Sequence, residues 1–88
     1  MNRVIKTDGT ETELIPTGKK GVFTLEALQE AVGGYIAVVH IPGDRENIML
    51  VNEEGLLRRL PFNAKATALV GLGPLVGNVA VIQRRLFK

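Results

Sequence analysis

The chain has 88 residues, of which 45% are hydrophobic and 23% charged, with a formal net charge of +2. This length and composition predict one small globular domain with a modest core and exclude a disordered protein. The lack of cysteine and the single histidine exclude disulfides and the usual metal sites, so no cofactor is expected, and the lack of a long apolar segment predicts a cytoplasmic protein without membrane contact.

The N-terminal segment is predicted to form a β-hairpin. Residues 3–6 and 11–15 flank Asp8-Gly9, and such a pair between extended segments favours a tight turn because glycine accepts positive φ. Pro16 ends the second strand, since it cannot donate to a strand ladder. An exposed, lysine-containing loop is expected to follow.

A short amphipathic helix is predicted to begin after Thr24, whose hydroxyl can accept a free backbone N–H of the first turn. Phe23 and Leu28 stand in the positions of a hydrophobic staple, and further apolar residues recur on the same face. Gly33 supplies the left-handed conformation that ends the helix, and Gly34 allows a sharp turn into the next strand.

The most hydrophobic strand candidate is YIAVVHI, residues 35–41. Its nearly continuous apolar and β-branched composition predicts a central strand with a paired neighbour on each side. Residues 42–46 form a turn cluster and residues 48–51 resume the apolar run. The sequence therefore predicts a second antiparallel hairpin.

After a turn that ends at Gly55, residues 56–60 are predicted to form a short edge strand that points Arg58 and Arg59 outward. Pro61 interrupts this strand.

A second helix is predicted from Ala64 to about Val70, with Asn63 as its N-cap. Glycines break it, and Gly77 leads into a last strand at 79–83. The chain is thus expected to be a single α+β domain, residues 1–88, with a mainly antiparallel sheet of four to five strands packed with two short helices.

Several spaced motifs, LEALQEAVGGYIAVV, VNEEGLLRRLPFNAKATAL and LVGNVAVI, resemble domain-of-unknown-function family 3846. The matching positions are Leu28, Gln29, Val32, Gly33, Gly34, Asn52, Glu53, Glu54, Gly55, Leu60, Pro61, Asn63, Ala66, Thr67, Val76, Gly77 and Val79. The resemblance implies a compact α+β fold and an origin in bacteriophages, plasmids or their bacterial hosts. It implies no activity.

One candidate binding site is the segment around Arg58 and Arg59, together with Asn63, Lys65 and Thr67. Two guanidinium groups precede a helix N-terminus, so cationic side chains and free backbone N–H groups could converge on a phosphate. The alternative is that Asn63 only caps the helix and that the arginines protect a solvated edge. The basic residues Arg84, Arg85 and Lys88 either extend this patch or form an ordinary tail.

Catalytic groups are poorly represented in the sequence. Serine and cysteine are absent, which removes the two commonest nucleophiles. Glu53 and Glu54 are adjacent and would point apart on an extended segment, and His40 is expected to be a partly buried packing residue. A non-enzymatic protein is therefore predicted.

Two functions from different classes remain open. The first is a mobile-element binding or inhibitory protein that blocks a host protein, such as a defence factor, or sequesters a small phosphate-bearing signal. A homodimer or higher homo-oligomer is compatible with this function. The alternative is a weak nucleic-acid-binding accessory protein. Its basic residues would be Lys19, Lys20, Arg58, Arg59, Arg84 and Arg85.

Overall fold

Five antiparallel strands and two helices make up the fold in a computed structural model that describes residues 1–87. In chain order the elements are β1 (Arg3–Ile5), β2 (Glu11–Glu13), α1 (Leu25–Val32), β3 (Ile36–His40), β4 (Asn47–Asn52), α2 (Ala64–Val70) and β5 (Val79–Gln83), with 3-10 turns at Lys19–Gly21 and Arg84–Leu86. The strand order is β2-β1-β5-β4-β3. The predicted α+β class, with its antiparallel sheet and two short helices, is confirmed.

The two helices cover opposite faces of the sheet. Successive side chains along a strand alternate between faces, so each helix packs on every second residue of the central strands. One core joins α1 to alternate residues of β4 and β5, and its buried members are Phe23, Leu28, Ile48, Leu50, Ala80, Ile82 and Leu86. The second core lies under α2 and consists of Ile5, Met49, Ala66, Val70, Val79 and Val81. Strands β4 and β5 are thus covered on both faces, which explains their continuously apolar sequences.

The prediction that residues 35–41 form a central strand is wrong. Strand β3 lies at one edge of the sheet, and β5 occupies the middle position. Val38 is 42% exposed, and the side chain of His40 is exposed as well. A continuous apolar run indicates cover on both faces of a strand, whereas the topology of the chain decides which strands have two neighbours.

The predicted edge strand at 56–60 is also absent from the described residues. A series of turns occupies residues 53–59, and Leu60 N–H donates to the Gly55 carbonyl at 3.0 Å. Arg59 has a φ of 53°, in the left-handed region that a strand does not use. Gly55 is buried, and a Cβ there would lie 2.9 Å from Val76 Cγ2, so a side chain would disrupt this packing.

The predicted boundaries of α1 are confirmed by its hydrogen bonds. Thr24 Oγ1 accepts the Ala27 N–H at 3.1 Å, which satisfies one free donor of the first turn. Gly33 ends the helix in the left-handed conformation, with φ 79°. Leu28 is buried with Phe23 in the same core, as the staple positions predict.

A backbone hydrogen bond joins the segment before β5 to the segment before α2. Gly77 N–H donates to the Pro61 carbonyl at 2.7 Å. Gly77 has a φ of 79°, and a Cβ at this position would lie 2.8 Å from Leu60 Cδ1. The positive φ favours glycine here, and Leu60 would have to shift to admit a side chain.

Asn63 connects three parts of the chain from a fully buried position. Its Nδ2 donates to the Ile5 carbonyl at 3.0 Å and to the Gly77 carbonyl at 2.9 Å. Its Oδ1 accepts the Ala66 N–H at 3.1 Å and so caps α2. One side chain thereby attaches α2 to β1 and to the approach to β5.

We expect Asn63→Ala to lower the free energy of unfolding by roughly 3–5 kcal/mol, because it leaves two carbonyls and one N–H without their partner in the interior. Urea denaturation measures this loss. Thr24→Ala is the matched control, since it removes one cap near the surface and should cost about 1 kcal/mol. An Asn63→Ala loss no larger than that of Thr24→Ala would contradict this account.

Candidate functional site

The five residues predicted to bind an anion do not form one site. Arg58 Nη1 donates to the Gly33 carbonyl at 3.0 Å, at the end of the sheet where β3 begins. Lys65 lies on α2 and pairs with Glu11 of β2 at 3.3 Å. Glu11 also accepts from Arg3 Nε at 2.9 Å, so the charge of Lys65 is already partly neutralised.

Asn63 lies in the interior of the fold and not at the surface beside Arg58. Asn63 is fully buried, and each polar atom of its side chain is hydrogen-bonded within the fold. Thr67 Oγ1 accepts the Leu75 N–H at 2.8 Å and is also committed to the scaffold. The predicted role of Asn63 as the N-cap of α2 is confirmed.

Basic residues of the proposed nucleic-acid surface are divided between two ends of the sheet. Arg58 and Arg59 follow β4, whereas Arg84 and Arg85 follow β5, which is antiparallel to β4. The Phe23 N–H donates to the Leu86 carbonyl at 3.0 Å, and this bond places the turn at Lys19–Gly21 near the end of β5. Lys88 lies outside the described residues.

Three arginines lie together at the end of β5, an arrangement that the sequence does not predict. Arg45, Glu46, Gln83, Arg84 and Arg85 line a surface depression of about 320 Å³, here called the arginine depression. Arg84 N–H donates to the Glu46 carbonyl at 2.7 Å, which extends the β4–β5 pairing by one step. The pairing of β4 with β5 brings Arg45, in the β3–β4 turn, beside Arg84, which lies 39 positions later in the chain.

The β3–β4 turn is organised by Asp44. Its carboxylate accepts the backbone N–H groups of Glu46 and Asn47, each at 3.0 Å, and the Asn47 side-chain amide at 2.9 Å. The Asn47 side-chain hydrogen bond lowers the pKa of Asp44 most, the backbone N–H groups lower it further, and the nearby Arg84 adds to the effect. The turn that carries Arg45 is thus fixed by a charged hydrogen-bond acceptor.

At the β3 edge of the sheet, a row of backbone groups has no strand partner within residues 1–87. Glu53 N–H donates to the Tyr35 carbonyl at 2.8 Å, and residues along antiparallel strands alternate between bonded and non-bonded pairs. In the observed register, Ile36, Val38 and His40 therefore direct their N–H and C=O groups away from β4. The free edge of β3 is a row of unused donors and acceptors.

The two edge strands, β2 and β3, differ in how well they are protected against pairing with a strand of another molecule. On β2, Leu14 N–H bonds to the Asn2 carbonyl and Lys6 N–H to the Thr10 carbonyl, so the outward residues are Glu11 and Glu13, both charged. Such charges discourage pairing with another strand. Strand β3, IAVVH, contains no Asp, Glu, Lys, Arg or Pro. Of the two sheet edges in the described part of the chain, the β3 edge is the one that offers an uncharged surface for strand addition.

An apolar depression adjoins the β3 edge. Its volume is about 510 Å³, and its lining includes Ala37, Leu56, Leu57, Leu75 and Val76. Leu56 is 74% exposed and Leu57 is 85% exposed. This surface is here called the Leu56 depression, and it is formed by the turns that stand in place of the predicted edge strand at residues 56–60.

Among residues 1–87, no three His, Cys, Asp or Glu side chains cluster in a way that could hold a metal ion. Within the same residues, no helix has the length and apolar character needed to cross a bilayer.

The chain was also compared with known proteins. The model of a family described as "Domain of unknown function (DUF3846)" matches residues 1–85. The chain belongs to this family. No curated protein and no solved structure matches it.

In this DUF3846 domain, several motif residues that indicated the family serve the scaffold. Asn52 Nδ2 donates to the Val32 carbonyl at 3.1 Å, and Asn52 Oδ1 accepts the Glu54 N–H at 2.8 Å. Gly34 packs against Asn52, with 3.0 Å between an added Cβ and Nδ2. Asn63 has a similar structural role, so these family motifs reflect the requirements of the fold more than those of a binding surface.

We expect acid to destabilise the protein partly through Asp44. Its folded-state pKa lies below the usual value of 3.8, so its contribution is present at higher pH and is lost as pH falls below about 3.8. Melting temperatures measured between about pH 6 and pH 3 should fall less steeply for Asp44→Asn than for the wild type. An identical slope for both would show that the turn hydrogen bonds do not depend on the charge.

Proposed function

We propose that this protein is a non-enzymatic binding module that adds an extended segment of a host protein to its sheet at β3. The observation that carries the proposal is the open, uncharged edge at Ile36, Val38 and His40. Strand addition is a general mode of peptide recognition, in which main-chain hydrogen bonds supply affinity and alternate side chains supply specificity.

Hydrogen-bond geometry supports this mode. Each outward residue of β3 offers one donor and one acceptor, and an antiparallel partner strand can exchange two bonds with each such residue. The strand is held firmly on its other side, since all five of its residues pair with β4. A rigid template of this kind reduces the entropy that the partner interaction must overcome.

The Leu56 depression supports the choice of a protein partner. Leu56 and Leu57 present apolar surface beside Ala37, whose side chain lies on the same face as Val39 and the α2 core. A partner strand on β3 could place an apolar side chain into this depression. Burial of one such side chain contributes about 1.5–3 kcal/mol.

The family resemblance supports the choice of a host protein. The resemblance implies an origin in bacteriophages or plasmids, where a small domain that captures an extended segment of a host factor can block that factor without any chemistry. We therefore propose inhibition of a host protein, including a defence factor, as the biological outcome. Nucleic-acid binding is the weaker candidate because its basic residues lie at two separate ends of the sheet.

A pair of proline variants tests the proposal. Val38→Pro removes an outward N–H of β3 without removing a β3–β4 ladder bond, whereas Glu13→Pro makes the same change on the opposite edge. A host protein retained by the wild type and by Glu13→Pro should be lost by Val38→Pro. With that protein purified, amide exchange at Ile36, Val38 and His40 should slow in the complex.

Three results would contradict strand addition to a host protein. One is full retention of the partner by a folded Val38→Pro variant. The second is a complex in which exchange slows elsewhere but not along β3. The third is a concentration-dependent dimer of the chain alone that Val38→Pro abolishes, because the occupant of the edge would then be a second copy.

A further inference from the structure

We propose that the arginine depression is a separate site for the phosphate group of a small molecule. It lies at the end of β5 and the β3–β4 turn, and it shares no residue with the β3 edge or the Leu56 depression. The proposal is independent of the proposed function.

The fold neutralises the charge of the three arginines of this depression only in part, through the Asp44 carboxylate near Arg84. Within residues 1–87, both salt bridges involve Glu11, so Arg45, Arg84 and Arg85 form none. Like charges held close together repel one another, and a bound anion relieves this repulsion. Glu46 is the one acidic residue in the lining, against three arginines. The depression therefore favours an anion.

Arg84 is held in position before any ligand arrives. Its Nε donates to the Arg45 carbonyl at 3.1 Å, and its backbone N–H donates to the Glu46 carbonyl at 2.7 Å. The following 3-10 turn is anchored by Leu86, which is buried in the α1 core. The Nε bond leaves the two terminal nitrogens of the guanidinium without a hydrogen bond to the described residues, and it reduces the side-chain freedom that binding must remove.

The chemistry of the lining selects phosphate. Guanidinium groups bind phosphate oxygens through paired, charge-assisted hydrogen bonds. A volume of about 320 Å³ admits a small phosphate compound, and none of the five described residues that line the depression is aromatic, so bases have no side chain to stack on. A phosphate-bearing small molecule therefore fits better than a single-stranded nucleic acid.

Titration of the intact protein with inorganic pyrophosphate and with adenosine triphosphate tests the site, followed by the arginine Nε and backbone NMR signals. Arg84→Gln should weaken pyrophosphate binding about tenfold or more, the effect of losing one charged hydrogen-bonding group. Glu46→Gln should strengthen it, because a repelling carboxylate is removed. Arg59→Gln is the matched control: Arg59 is also an exposed arginine, but lies at the opposite end of the sheet, and binding should be unchanged.

Other outcomes would overturn the inference. One is no saturable change at Arg84 and Arg85 at low salt. Another is equal weakening by Arg59→Gln, which would indicate only a general effect of charge. A third is a single-stranded oligonucleotide that binds more tightly than either probe with a steep salt dependence, because the surface would then serve nucleic acid. Unchanged amide spectra away from the substitution show that each variant is folded.

Discussion

The buried side chain of Asn63 is the interaction on which the architecture depends most. Helix α2 has seven residues and buries only Ala66 and Val70, so neither its length nor its apolar surface would hold it in place. Asn63 supplies the missing constraint, since it caps the helix and bonds to two carbonyls of neighbouring segments. Its complete hydrogen bonding is what makes a buried amide stabilising.

The same device recurs elsewhere in the domain. Asn52 attaches the end of α1 to the turn after β4. Asn2 Oδ1 accepts the Gln83 N–H at 2.7 Å and Asn78 Oδ1 accepts the Thr7 N–H at 3.0 Å, so side chains continue the β1–β5 ladder beyond both of its ends. A domain with little apolar area per residue thus gains rigidity from asparagines at the junctions of its elements.

Local signals in the sequence predict the local structure well. Thr24 and Gly33 mark the ends of α1, and Asn63 marks the start of α2, because capping depends on residues a few positions apart. Sheet order and the arginine depression could not be predicted in this way. Both depend on which distant strands pair, and the apolar runs of β3, β4 and β5 are too similar to decide that. The same limit applies to Arg58 and Lys65, which are close in sequence but contact different parts of the fold.

The central position of β5 also bears on how the chain reaches its native state. Strand β5 pairs with both β1 and β4, yet it follows them by many residues in the chain. During synthesis, the inner edges of β1 and β4 stay open until residues 79–83 have left the ribosome. Folding should therefore be completed late and in one step, with long-range loop closure limiting its rate, and the nascent chain is exposed to wrong strand pairing until then.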